Sequence, residues 1–212
     1  MNILRRIINR EYSGKKKGNA AAKIVIGFAF IILAGALLLM LPIASKQRIF
    51  TPFLTAIFTA TSATCVTGLI MVDTGAYYSL FGQAVILLLI QFGGLGFMTV
   101  LTLAFIAANA NIGLRSRMLL AQTMGIENLD GIIRLTKYVL KATALFEGTG
   151  AVVLSLRFIP EFGFLKGMWY SVFHSVSAFC NAGFDVLGTG NSIIDYQSDF
   201  TVMLTLAILI IT

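Results

Sequence analysis

The chain has 212 residues, of which 58% are hydrophobic and only 12% are charged, whereas a soluble domain has about 45–50% apolar and about 25% charged residues. Together with a mean hydropathy of +0.89, this excludes an ordinary soluble domain and predicts an all-α integral membrane protein. The net charge is +7, but the excess Lys and Arg lie in two clusters beside apolar segments, which indicates membrane topology and lipid contact rather than nucleic-acid binding.

The cysteines and the single histidine do not suggest a metal site. Cys65 and Cys180 lie inside apolar segments without the spacing of zinc ligands, and one His cannot complete a metal site. We therefore expect neither a disulfide nor a metal cofactor.

A basic tail comes first, at residues 1–23. Its Lys and Arg residues are opposed by Glu11 alone, and anionic lipid of the inner leaflet attracts such a segment, so we expect a cytoplasmic N-terminus. The uncharged run over residues 24–45 is long enough as a helix to cross about 30 Å of hydrocarbon. It predicts a first spanning helix, M1, because it exceeds the roughly 7–15 residue apolar core of a signal peptide.

A short apolar segment after Pro52 predicts a half-helix that enters the membrane without crossing it. It runs to Thr64, is too short to span a bilayer, and is followed by a loop at residues 65–68. The next uncharged stretch predicts a second full helix, M2, at about residues 80–108. Inside it, the glycine-rich sequence at residues 91–96 allows close helix packing or a bend, and packing is favoured.

The same pattern returns after a basic linker. Residues 109–137 carry more Lys and Arg than acidic residues, so we expect this linker to face the cytoplasm. A third membrane helix is predicted at about residues 138–159, and a second short apolar stretch runs from Trp169 to Cys180. The apolar run from Phe200 to Thr212 covers only about 20 Å as a helix, so we expect the natural chain to continue.

An internal repeat relates the two short apolar segments. Residues 55–75 align with residues 170–190 at an offset of 115. The identical pairs are Phe58/Phe173, Ser62/Ser177, Ala63/Ala178, Cys65/Cys180, Gly68/Gly183, Thr74/Thr189 and Gly75/Gly190. The predicted unit is M1, half-helix (P), loop and M2, complete at residues 24–108 and with an incomplete M2 at residues 138–212. Two full crossings separate the loops, so both should lie on the outer side, in parallel repeats.

The loops after the half-helices have the chemistry of a cation pathway. Irregular backbone at membrane depth is tolerated only where it is buried in protein or lines water. If the carbonyls of residues 64–67 and 179–182 point inward, they can replace an ion's hydration shell, and Gly68 and Gly183 supply the backbone freedom for the turn. The alternative is that these glycines only cap short helices.

These motifs resemble those of a known family. Thr64-Cys65-Val66-Thr67-Gly68 and Phe179-Cys180-Asn181-Ala182-Gly183 resemble the selectivity-filter loops of the Trk/Ktr/HKT superfamily of potassium transporters, and residues 91–96 resemble its M2 helices. The resemblance implies four M1-P-M2 repeats around a pseudo-fourfold pore, with potassium held by backbone carbonyls of these ten residues. The short tail before M1 is similar to the Ktr branch. Neither loop contains TVGYG, so potassium selectivity over sodium follows from the resemblance alone.

The resemblance also implies a function and partners. It implies potassium translocation by a multi-pass protein of the plasma membrane, with sodium dependence as in the Ktr branch, and neither enzyme activity nor a covalent cofactor. It further implies a homodimer of membrane subunits, regulated by a cytosolic nucleotide-binding ring that carries the nucleotide instead of this chain.

Other residues leave alternatives open. Asp73 and Asp185 lie just outside the loops and could concentrate cations, while Glu147 could bind a cation or be paired with a donor behind the pore. A membrane enzyme using Cys180 and His174 is conceivable, although a helix places residues at this spacing on different faces. A non-conducting membrane scaffold is the third alternative.

Overall fold

The computed structural model describes residues 20–96 and 131–212, with side-chain burial for residues 25–96 and 137–212. In these ranges the regular structure is helical, without a strand and with one isolated bridge between Ser45 and Tyr78. The prediction of an all-α chain is confirmed for this part. Most of the basic tail, the part of M2 beyond Gly96 and the linker up to residue 130 lie outside the described residues.

The helices follow the order expected from the sequence. The described α-helices are α1 (Ala20–Met40), α2 (Phe53–Thr64), α3 (Thr74–Tyr77), α4 (Leu80–Gly94), α5 (Gly131–Phe162), α6 (Phe164–Phe179) and α7 (Phe200–Ile211), with 3-10 helices at Pro42–Ala44 and Ser192–Tyr196. The two predicted half-helices correspond to α2 and α6. The prediction of helix from Phe200 onward is confirmed by α7.

Several helix boundaries differ from the prediction. The helix predicted at about residues 80–108 ends at Gly94, and Gly96 two residues later has φ +77°, which a continuing helix does not allow. The first helix is predicted to reach residue 45 but ends at Met40, and a 3-10 turn begins at Pro42. Helix α5 extends beyond residues 138–159 at both ends, so the last part of the predicted linker is helical. Helix α6 begins well before Trp169, because Gly163, at φ +81°, reverses the chain directly after α5.

The two halves share a core. Helix α2 packs against α1 and α4, helix α6 packs against α5 and α7, and α4 also packs against α6. One buried cluster includes Ala36 of α1, Ala60 of α2, Ile86 of α4 and Phe173 of α6. The ends of α2 and α6 are therefore held in a fixed relation to each other.

Apolar side chains are exposed and polar side chains are buried on several helices, a distribution that suits a protein in lipid. Phe30, Leu88, Leu156 and Leu165 are 58–83% exposed, and they lie on four different helices. Polar side chains are buried instead, and these include Thr59, Gln83, Ser171, His174 and Ser175. Among the described helices, one segment, Lys137–Phe162, is long and apolar enough to cross a membrane by length and composition. The exposed apolar surface matches a hydrocarbon environment.

An ion pair joins the C-terminal part of α5 to the start of α7. Arg157 donates to Asp199 at 2.6 Å and to Glu161 at 2.7 Å. Asp199 also accepts from the amides of Thr201 and Val202 as the N-cap of α7. The Arg157 guanidinium and these helix amides lower the pKa of Asp199.

This lowered pKa predicts an acid-sensitive contribution to stability. The Asp199 charge stabilises the fold above the ordinary aspartate pKa, and this effect is lost as pH falls through the lower pKa of the folded state. We expect D199N, which keeps an N-capping side chain, to melt below the wild type at pH 7 in detergent. The difference in melting temperature should disappear in strong acid, where Asp199 is protonated. A difference that is constant with pH would contradict the stabilising role of the Asp199 charge.

Candidate functional site

The two half-helices end in the same backbone turn. Helix α2 ends at Thr64 and α6 at Phe179, which are 115 residues apart. Equivalent amide-to-carbonyl hydrogen bonds of 2.7–3.3 Å close both turns: Cys65 to Thr61, Val66 to Ala63 and Thr67 to Ser62, and Cys180 to Val176, Asn181 to Ala178 and Ala182 to Ser177. The sequence repeat therefore corresponds to a repeated backbone structure. We call residues 64–68 the first loop and residues 179–183 the second loop.

The loops share a left-handed backbone at equivalent positions. Val66 and Asn181 both have φ +57°, and Gly68 and Gly183 have φ +72° and +70°. A positive φ is unfavourable for a β-branched residue such as Val66, so the surrounding turn must hold it in place. Gly68 and Gly183 adopt the same region without a Cβ penalty, which explains glycine at both positions.

The structure places the two loops side by side. A Cβ built on Gly68 would lie 2.7 Å from the carbonyl oxygen of Ala182 and 3.4 Å from Cα of Gly183. A Cβ built on Gly183 would lie 3.6 Å from Cα of Gly68. The two glycines singled out from the sequence are thus neighbours, although they are far apart along the chain.

The loop residues differ in their exposure. Cys65, Thr67, Asn181 and Gly183 are exposed, Val66, Gly68 and Phe179 are half-buried, and Thr64, Cys180 and Ala182 are buried. None of these residues is acidic. The ligands that the loops can offer a cation are therefore carbonyl and hydroxyl oxygens.

Two equivalent serines support the loops from the half-helices. The Ser62 hydroxyl lies 2.9 Å from the Thr67 hydroxyl, and the Ser177 hydroxyl donates to the carbonyl of Phe184 at 2.7 Å. This role was not among the predictions from the sequence. The signal was present, because Ser62 and Ser177 are one of the identical pairs in the repeat.

The end of α4 packs against both loops. A Cβ on Gly93 would overlap the carbonyl oxygen of Thr64, and a Cβ on Gly94 would lie 2.7 Å from Cβ of Cys180. The predicted close packing of the glycine-rich M2 sequence is confirmed at these two positions. Only a residue without a side chain brings α4 this near to both turns.

Asp73 and Asp185, just outside the loops, accept hydrogen bonds from neighbouring residues. Asp73 accepts from the amide of Ala76 at 2.7 Å and from that of Gly190 at 3.1 Å, so it links the segments that follow the two loops. Asp185 accepts from the hydroxyl of Ser192 at 2.8 Å. Both carboxylates thus have structural partners while remaining next to the loops.

The structure places Glu147 against Gln91 of α4, whose amide nitrogen lies 2.9 and 3.0 Å from the two carboxylate oxygens. The Cys180 thiol lies 3.6 Å from the carbonyl oxygen of the same Gln91 side chain. His174 instead contacts the backbone oxygen of Tyr170 at 2.7 Å. The thiol and the imidazole thus have different partners, and this geometry does not favour the thiol enzyme considered above.

The comparisons with known proteins agree on one family. The model of the cation transport protein family TrkH matches residues 16–212. The potassium/sodium uptake protein NtpJ of Enterococcus hirae is 43% identical over 93% of this chain and 43% of its own length. The Ktr system potassium uptake protein B is 42% identical in Bacillus subtilis (89% of this chain, 42% of that protein) and 38% identical in Vibrio alginolyticus (91% and 42%). The chain therefore spans less than half the length of these relatives.

Proposed function

The chain belongs to the TrkH family of cation transport proteins, and from this premise we propose that it forms part of a Ktr-type subunit that conducts potassium through the two loops. The observation that carries the proposal is the contact between two loops of equal backbone geometry, made through Gly68 and Gly183. Relatives named as potassium uptake proteins support the choice of ion. A membrane location follows from the family.

In this proposal, the dipoles of the two half-helices attract a cation to the loops. Helices α2 and α6 both end at a loop, so the negative ends of their dipoles lie at the same place and favour a cation there. In this proposal, the carbonyls of residues 64–67 and 179–182 replace water around the ion. Asp73 and Asp185 raise the local cation concentration from beside the loops.

The proposed assembly extends beyond this chain segment. Residues 24–108 and 138–212 would be two of four M1-P-M2 repeats around a pseudo-fourfold pore, with the tail (1–23) and the linker (109–137) in the cytoplasm. The subunit would pair with a second copy and with a cytosolic nucleotide-binding ring that regulates it. Sodium dependence belongs to the same proposal, and the Enterococcus relative is named as a potassium/sodium uptake protein.

Uptake by cells tests the proposal directly. We expect cells that lack potassium uptake systems to grow at low potassium when they express the protein from its whole gene, and to accumulate potassium faster when sodium is present. Tracer rubidium uptake and membrane abundance should be measured together. A protein that is abundant in the membrane but carries no flux would contradict the proposal and favour a non-conducting scaffold.

A further inference from the structure

A chain of side-chain hydrogen bonds reaches the second loop from behind. It begins at Glu147 of α5, passes through the Gln91 amide of α4 at 2.9 and 3.0 Å, and ends at the Cys180 thiol, 3.6 Å from Gln91 Oε1. Cys180 is the residue directly before the left-handed Asn181. Three segments that are distant in sequence therefore meet at the start of the second loop.

The carboxylate of Glu147 determines which way the Gln91 side-chain amide points in this series of hydrogen bonds. A carboxylate only accepts hydrogen bonds, so it must face the NH₂ end of Gln91. The carbonyl end of the Gln91 amide then points the other way, where it accepts from the Cys180 thiol. An uncharged amide at position 147 would both donate and accept, and would allow Gln91 to flip.

Further contacts hold the same region in place. The Ser175 hydroxyl of α6 donates to the backbone oxygen of Glu147 at 2.7 Å, and Gly94 packs directly on Cys180. One turn of α5 is thereby attached both to the half-helix and, through α4, to the loop that follows it. The position of α5 at Glu147 is therefore tied by hydrogen bonds to the second loop.

The first repeat has no equivalent carboxylate. At the same offset of 115, Ile32 stands where Glu147 stands in the second repeat, and Cys65 is exposed whereas Cys180 is buried. The two loops have equal backbones but unequal support. The hydrogen-bonded chain is thus a feature of the second loop and not a general property of the repeat.

We infer that Glu147 is a positioning residue that acts through Gln91 to hold the second loop in its ion-selective geometry. This inference rests on the proposed function, because it assigns Glu147 to the support of a filter loop. It assigns the carboxylate neither ion binding nor proton transfer. The ion preference of the pore should then depend on the hydrogen-bond pairing of residues 91 and 147.

A residue exchange tests the inference. Q91E places two carboxylates against each other, and we expect it to lower the preference for potassium over sodium about tenfold, the effect of losing one buried hydrogen bond to a charged group. In the double variant Q91E/E147Q, the amide at 147 donates to the carboxylate at 91, which still accepts from Cys180. This exchange should restore the preference to within about threefold of the wild type, since all three partners are again satisfied.

The readout is the ratio of potassium to sodium uptake per protein in the membrane, which a purely structural contact would not change. T149A is the matched control, because Thr149 lies on α5 two residues after Glu147, is exposed, and its hydroxyl donates to the Phe146 carbonyl oxygen of the same helix. If Q91E does not reach the membrane, E147Q takes its place, with a lowered ratio that the double variant restores. A double variant no better than Q91E, or an E147Q ratio equal to that of the wild type, would overturn the inference.

The same measurements separate this inference from the proposed function. If Gly68→Ser changes the ion ratio while the variants at 91 and 147 leave it unchanged, only the role of Glu147 is wrong. If the protein carries no flux, or if Gly68→Ser and Gly183→Ser both leave the ratio unchanged, the loops are not a filter. The proposed function is then wrong, and the role of Glu147 is wrong with it.

Discussion

Gly68→Ser is expected to reduce the preference for potassium over sodium by more than tenfold. The new Cβ would lie 2.7 Å from the Ala182 carbonyl oxygen, closer than real Cβ contacts, in a backbone with φ +72°. A left-handed backbone alone costs a residue with a side chain about 1–2 kcal/mol, and 1.4 kcal/mol corresponds to about tenfold. The loops must therefore separate or turn, which moves the carbonyls proposed to bind the ion.

Gly183→Ser should have a smaller effect in the same direction. Its backbone is also left-handed, at φ +70°, but its new Cβ would lie 3.6 Å from Cα of Gly68, an ordinary contact. Both variants carry the backbone strain, but only Gly68→Ser also crowds the other loop. The difference between their potassium-to-sodium ratios therefore measures the effect of the contact between the loops.

The matched control is Gly148→Ala, since Gly148 lies within helix α5 and a Cβ there meets nothing within 4 Å. Potassium and sodium uptake should be compared at equal abundance in the membrane. Equal ion ratios in the wild type and both loop variants would refute the filter assignment. A larger effect at Gly183 than at Gly68 would contradict the loop contact described above.

The local part of the site could be predicted from the sequence because it depends on short-range rules. An apolar segment too short to span, followed by a glycine, predicts a short helix and a turn. The structure has the short helices α2 and α6, each followed by a turn, at residues 64–68 and 179–183. The recurrence of the Ser-Ala-x-Cys-x-x-Gly pattern indicated that the two turns are alike. Their common hydrogen-bonding pattern follows from that likeness.

The contacts between distant segments could not be predicted in this way. Gln91 and Glu147 are 56 residues apart, and their pairing depends on how α4 and α5 pack, which no periodicity records. The sequence left open whether Glu147 binds a cation or is paired behind the loops. The structure gives it a partner, and its role in transport remains a prediction.

The helix boundaries show a second limit of the sequence. Hydropathy marks where a helix lies in lipid, but the helix itself continues into polar surroundings while its backbone hydrogen bonds remain satisfied. Helix α5 therefore begins before the charged Lys137 and extends to Phe162. Its end depends on the left-handed Gly163, which a hydropathy profile does not identify.

Gly93→Ala is expected to abolish most of the uptake. The new Cβ would overlap the Thr64 carbonyl oxygen, a rigid backbone atom at the start of the first loop, and would lie 3.0 Å from Cγ2 of Val66. Overpacking of this kind costs about 1–3 kcal/mol. Because α4 also packs on the second half of the chain through Gly94 and Cys180, it cannot move away from one loop without disturbing the other.

Gly35→Ala provides the comparison, because it adds the same methyl group to another apolar helix, α1. Its Cβ would lie 2.7 and 2.8 Å from the two methyl carbons of Leu89 and 3.2 Å from its Cγ, but these atoms belong to a flexible side chain that can change rotamer. Alanine also favours the helix over glycine by about 1 kcal/mol, which offsets part of the crowding. Tracer uptake and melting in detergent should therefore be nearly normal for Gly35→Ala and strongly reduced for Gly93→Ala. Equal behaviour of the two variants would contradict the support of the first loop by α4, because the added methyl group meets a rigid backbone oxygen at Gly93 and a flexible side chain at Gly35.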